Sequence, residues 1–148
     1  MVRNPNPYHV YLAGPIMGKT WVETESWRDE FKELVNNLHI RCLSPMRTQT
    51  STSNEEPNGW VQDADAPRAQ IEQDRFDVAR CDIVVANITH MEEKSVGTII
   101  EIGWADAYRK PIVLIDATKQ YRHPFLYHLA SWRVTTIRDA AEIVSAVL

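Results

Sequence analysis

The chain has 148 residues, 44 % of them hydrophobic and 24 % charged, and a formal net charge of −4. That length supports one domain with its own core, so residues 1–148 read as a single unit. The slightly acidic balance argues against a nucleic-acid surface, and no apolar run is long enough to cross a membrane.

The first strand is His9-Val10-Tyr11-Leu12-Ala13, stopped by Gly14-Pro15. A helix follows from Trp21 to Leu38, with Trp27, Phe31, Leu34, Val35 and Leu38 at helical spacing. Ile40-Arg41-Cys42-Leu43 is a short second strand, ended by Ser44-Pro45. Residues 46–63 are rich in Thr, Ser, Asn, Gln and Gly and form a long polar loop, of a length that suits a lid. Asp65 is placed to cap the next helix, which tolerates Pro67 in its first turn and runs to about Arg80. Ile83-Val84-Val85-Ala86 is the clearest buried strand. Ser95 or Gly97 opens a helix that ends near the basic pair Arg109-Lys110. Pro111 to Ile115 is a continuous apolar strand of the kind found in parallel sheets covered on both faces. A short helix from Pro124 to Ala130, a strand at Trp132-Arg133-Val134 and a helix from Thr136 to Leu148 complete the chain, with Thr136 and Asp139 in capping-box spacing.

Strands and helices alternate, which predicts an α/β fold: a doubly wound, five-stranded, mainly parallel sheet with helices on both faces, flavodoxin- or Rossmann-like. Cys42 and Cys81 lie near or inside apolar runs and read as buried thiols of a reducing compartment. The polar, proline-punctuated Met1 to Pro7 has no apolar targeting character, so the expected location is cytoplasmic.

Ligands of such sheets bind beyond the carboxyl ends of the strands. The first strand delivers Tyr11 and the turn Gly14-Pro15-Ile16, the second delivers Arg47, and the third delivers Asn87 and the loop to Ser95. Ser95-Val96-Gly97-Thr98 runs into a helix carrying Glu101, so free N–H groups and a carboxylate share one corner. Ile99, Ile100, Ile102, Trp104 and Ala105 make that helix apolar nearly all round, and a carboxylate buried there needs a partner or a chemical role. Plainer readings stand beside these. Tyr11 fits a core position, Gly14-Pro15 a simple strand stop, and Arg47 a solvated loop charge. Asp74 and Asp77 fit surface acids paired with Arg75 or Arg80. There is no G-x-G-x-x-G after the first strand, no P-loop lysine motif, no zinc-ligand spacing among the five histidines and no serine nucleophile elbow. No cofactor and no metal are expected, and carboxylate chemistry is what remains.

The ordered set Tyr11-Leu12-Ala13-Gly14-Pro15-Ile16, Asp74 before Asp82-Ile83-Val84-Val85-Ala86, Ser95-x-Gly97-Thr98-x-x-Glu101-Ile102-Gly103-x-Ala105 and Lys110-Pro111-Ile112-Val113 resembles the nucleoside 2-deoxyribosyltransferase family. Close relatives of that family hydrolyse nucleoside 5′-monophosphates. The resemblance implies Glu101 as catalytic nucleophile, Asp74 as the acid that contacts the base, and Tyr11 as the residue that positions the nucleophile. Gly14, Pro15, Ile16, Arg47, Trp60, Asn87, Ser95, Gly97 and Thr98 are then candidate substrate-binding residues, with Trp60 in the long loop stacking on a base. The expected partners are nucleosides or nucleotides and free nucleobases, with no nucleic acid and no membrane. The family also implies a homo-oligomer whose subunits complete each other's sites. Ser95 and Gly97 resemble the phosphate-gripping pattern of the monophosphate hydrolases, whereas many transferases carry an aspartate where Ser95 stands. Transferase is the first reading, monophosphate N-glycosidase the alternative, and a non-catalytic nucleotide sensor or an interaction subunit the further classes.

Overall fold

The computed structural model describes residues 6–16, 18–48, 66–91, 96–119 and 123–148. Its elements alternate as β1 (Tyr8–Ala13), α1 (Trp21–Leu34), β2 (Ile40–Leu43), a 3₁₀ turn (Pro45–Thr48), α2 (Ala66–Arg80), β3 (Ile83–Asn87), α3 (Val96–Ala107), β4 (Ile112–Ile115), α4 (Pro124–Leu129), β5 (Trp132–Val134) and α5 (Ile137–Val147). The five strands form one sheet in the order β2-β1-β3-β4-β5, and all four pairings are parallel. This is the doubly wound, flavodoxin-like arrangement expected from the alternation, and its chain reversal falls between β1 and β3.

Period-two alternation along the strands divides the core between the two faces. Tyr11, Ala13, Val84, Ala86, Ile112 and Leu114 pack with Val78 of α2, Ile102 and Ala105 of α3 and Leu126 of α4. Val10, Leu12, Ile83, Val85, Val113 and Ile115 pack with Phe31 of α1 and Ala140, Ala141 and Val144 of α5. Tyr11 therefore looks toward α2 and α3, and Leu12 toward α1.

Local signals set the helix ends. Thr20 and Glu23 form a reciprocal capping box at the start of α1, and Thr136 Oγ1 accepts the Asp139 N–H at 3.0 Å before α5. The first helix stops at Leu34, four residues earlier than its apolar spacing predicts, and Leu38 is exposed. Asn36 and Asn37 favour the turn that forms there. Arg109 takes the left-handed conformation after α3, at φ 58°. The proposed cap Asp65, most of the polar loop at 46–63 and Trp60 within it lie outside the described residues.

Candidate active site

The site is built at the carboxyl end of β1, where one phenol meets two carboxylates. Tyr11 is fully buried and donates its hydroxyl proton to Glu101 Oε1 at 2.7 Å. Glu101 reaches this point because α3 turns it inward beside Thr98, Ile102 and Ala105, all buried on the same helix. Asp74, from α2, is buried as well and accepts a hydrogen bond from Gln70 Nε2 at 2.8 Å, one helical turn back. Gln70 also donates to the Pro45 carbonyl at 3.2 Å, which ties α2 to the end of β2.

Asp74 and Asp77 are not the surface acids that a plain helix reading predicts. Asp77 is fully buried and pairs with two arginines, Arg80 at 2.9 Å and Arg47 from the 3₁₀ turn. Arg47, a candidate substrate contact, thus has a carboxylate partner on α2.

A cavity of about 410 Å³ opens over Glu101 and Asp74. Gly14, Pro15 and Ile16 form one wall, Gln70 and Ile71 a second, and Val96, Gly97, Thr98, Ile100 and Trp104 a third. The walls are mainly apolar and the polar groups gather beside Glu101 and Asp74, an arrangement suited to a small ligand with an apolar body and a polar end. Gly14 is required for close approach: a Cβ there would lie 2.9 Å from Trp27 Cζ2 and 3.4 Å from the Asn87 carbonyl oxygen.

Of the expected site residues, Tyr11, Asp74 and Glu101 come together, and Gly14, Pro15, Ile16, Gly97 and Thr98 line the same cavity with Glu101 and Asp74. Asn87 does not line it. Its side chain accepts from Thr89 N–H at 3.1 Å and faces a neighbouring cavity of about 310 Å³ bounded by Pro15, Lys19, Glu23, Trp27, Thr89 and His90. Ser95 and Trp60 lie outside the described residues. Three contributors escaped the sequence reading: Gln70, Trp104 and the fully buried Arg28 of α1. Gln70 had a signal, being four residues before Asp74 on one helix face. Arg28 had one too, sharing the inward stripe of Thr24 and Phe31.

Burial dominates the electrostatics. It pushes the Glu101 carboxyl up to about 8, the Asp74 charge adds to the rise, and the Tyr11 hydrogen bond and Arg28 oppose it. Asp74 is pushed up to about 6 by burial, against the hydrogen bonds of Gln70 and Tyr11 and the charges of Arg47 and Arg28. The N-terminus of α3 does not offset this rise. Glu101 sits beyond the first turn of α3, where the helix dipole has faded, while desolvation acts in full. Tyr11 is raised well above its ordinary value by burial and by both carboxylates, so it stays a phenol and a donor.

The family model described as nucleoside 2-deoxyribosyltransferase matches residues 10–140, which include every element of this site. The chain belongs to that family. Among solved structures, the 2-deoxyribosyltransferase of Bacillus psychrosaccharolyticus is similar at 17% identity and a TM-score of 0.71, covering 90% of each chain. A conserved protein of Enterococcus faecalis V583 is similar at 17% identity and a TM-score of 0.71, over 96% of this chain and 99% of that one. The CMP N-glycosidase of Clostridium botulinum is similar at 17% identity and a TM-score of 0.60, over 93% of this chain and 98% of that one. At these identities the structural likeness carries the deoxyribosyltransferase fold alone. No curated protein sequence matches the chain.

Proposed function

We propose that this deoxyribosyltransferase-family protein cleaves the N-glycosidic bond of 2′-deoxynucleosides and passes the deoxyribosyl group to another nucleobase. The observation that carries the reading is the buried Tyr11–Glu101 hydrogen bond at one cavity, with Asp74 facing the same space. Glycosyl transfer passes through an oxocarbenium-like state that an adjacent carboxylate stabilises or captures. In the first half-reaction a Glu101 oxygen bonds to C1′ as the bond from C1′ to the base nitrogen breaks, and Asp74 gives its proton to the leaving base. In the second, the nitrogen of an incoming base attacks C1′ on the vacated side. Glu101 leaves as carboxylate and the incoming base returns a proton to Asp74, with net retention of configuration. The reactive form of the pair holds one proton, on Asp74; it is the minority arrangement, since burial raises Glu101 further than Asp74, and the Tyr11 hydroxyl stabilises its Glu101 carboxylate. The apolar walls, with Ile71, Ile100 and Trp104, suit the faces of a base.

One observation favours the alternative, hydrolysis of nucleoside 5′-monophosphates. The first turn of α3 carries no acidic residue, and a Cβ at Gly97 would meet nothing within 4 Å. An open helix start whose first turn carries no acid suits an anion. Val96, Ile99 and Ile100 are exposed apolar side chains on α3, which supports self-association next to the cavity. Size-exclusion chromatography with light scattering tests it, with a dimer or larger species expected.

The deciding experiment incubates the protein with matched deoxy- and ribonucleosides, with and without 5′-phosphate and with and without a second free base, and follows the bases by chromatography. New nucleosides support transfer. Free base without exchange replaces that reading with hydrolysis. Binding without either product leaves a sensor. Glu101→Ala is expected to lower turnover by at least about 10³-fold while the protein stays folded, and full turnover in that variant would remove Glu101 from the chemistry.

A further inference from the structure

We propose that Arg28 is a positioning residue for this reaction: its buried guanidinium holds the end of β1, and so Tyr11 and the Gly14–Ile16 turn, in register with Glu101, and sets a buried positive charge behind that turn, out of contact with the carboxylate pair. The proposal rests on the glycosidic reading above and goes beyond it, since Arg28 lies behind the cavity wall, lines neither cavity and touches no reacting atom.

The observation begins with an oddity. Arg28 has the largest fully buried side chain among the described residues, and none of their carboxylates lies within 4 Å of it. Buried arginines are ordinarily paired with an acid. This one is satisfied by backbone carbonyls. Nε donates to Leu12 O at 3.2 Å, one terminal nitrogen donates to Gly14 O at 3.2 Å, and the other donates to Thr24 O on its own helix. The guanidinium also stacks over the Trp27 ring, 4.8 Å from its centroid.

The parallel ladder explains why those carbonyls need an arginine. Even-numbered residues of β1 face β2, as the bond from Tyr8 N–H to the His39 carbonyl shows, and odd-numbered ones face β3, as the bond from Asp82 N–H to the His9 carbonyl shows. The β1–β2 register ends at Tyr11 opposite Leu43. The ladder position that would next donate to Leu12 O is Pro45, which has no N–H. Arg28 replaces that missing donor and the one after it. Its planar fork spans two carbonyls two residues apart, which a lysine ammonium does not reproduce.

The clasped segment is the one the site needs. Leu12 adjoins Tyr11, and Gly14 opens the turn that forms one cavity wall. Among the described residues, Glu25 of α1, Glu101 of α3, Tyr11 of β1 and Asp74 of α2 interact electrostatically with Arg28. Among the described residues, Tyr11, Asp74 and Arg28 interact with Glu101, and Arg28 is the cation of that set. A fixed positive charge there favours the ionised nucleophile that burial alone disfavours.

Two substitutions separate geometry from charge. Arg28→Met keeps the stem and removes both; Arg28→Lys keeps the charge and loses the fork. Glu101 titration is read by carbon NMR of glutamate-labelled protein, the signal assigned by its absence in Glu101→Gln. In Arg28→Met the Glu101 midpoint is expected to rise by about one pH unit, and in Arg28→Lys by less than about half a unit. In both, kcat is expected to fall about 10- to 100-fold with little change in KM. An unmoved Glu101 midpoint in folded Arg28→Met, or wild-type kcat in Arg28→Lys, overturns the proposal. Failure of both variants to fold also overturns it, because the role is then structural alone. The titration needs no substrate. If the wild type turns over none, the glycosidic reading fails while the NMR still decides whether Arg28 tunes Glu101.

Discussion

At the residue scale, Glu101, the proposed nucleophile, ties the proposed function to stability. A carboxyl raised from 4.5 to about 8 by burial favours its protonated form in the fold. The sign follows from proton linkage. The folded state binds the proton more tightly than the unfolded chain, so this group's contribution is complete below about pH 4.5 and is lost as pH rises toward 8. Glu101→Gln keeps an acceptor for Tyr11 and removes the charge. It is therefore expected to stabilise the protein at pH 8 by roughly 1–3 kcal/mol, and to leave stability at pH 4.5 nearly unchanged. Thermal unfolding of both proteins at the two pH values checks this. An equal melting temperature at pH 8 means that Glu101 is not desolvated as described. The same substitution removes the proposed nucleophile, so a more stable, inactive protein is the joint outcome, as expected where function holds a charge in an unfavourable place.

At the element scale, the cavity depends on how tightly the ends of three elements are tied. Gly14 lets the turn after β1 lie against Trp27 and the Asn87 backbone. Gly14→Ala forces a shift in a packed region. It is expected to cost about 1–3 kcal/mol in urea unfolding and to reduce kcat/KM, because the displaced turn is a wall of the site. Asp77 ties the 3₁₀ turn to α2 through Arg47 and anchors Arg80 on its own helix. Asp77→Ala leaves two half-exposed arginines and an empty buried site, and is expected to cost about 2–4 kcal/mol. A loss below about 0.5 kcal/mol would mean that the pair contributes as little as an ordinary surface ion pair.

At the scale of the whole molecule, the two carboxylates come from different helices and meet only because both helices cover the Tyr11 face of the sheet. They are expected to titrate as a pair, with one proton resident between apparent values of about 6 and about 8. If the singly protonated pair is the active form, kcat/KM is bell-shaped, rising through about pH 6 and falling through about pH 8. A profile flat from pH 5 to 9 would remove the pair from the rate. The fold itself was legible in the sequence. Apolar runs such as Ile83–Val85 and Ile112–Ile115, punctuated by Gly14-Pro15 and Ser44-Pro45, marked the strands, because period and turn chemistry are local properties. Glu101 was legible as an acid on an otherwise apolar helix, and Asp74 only through the ordered resemblance. The burial of Asp74 and Asp77, the pairing of Arg47, the turning of Asn87 into a second cavity and the clasp of Arg28 on β1 were not. Each depends on which side chain another element presents across the sheet, and on how much water that contact excludes. Sequence by itself determined the order of elements and the type of chemistry available. The tertiary structure alone decided which charges are desolvated together, because desolvation belongs to the packed assembly and to no segment of it.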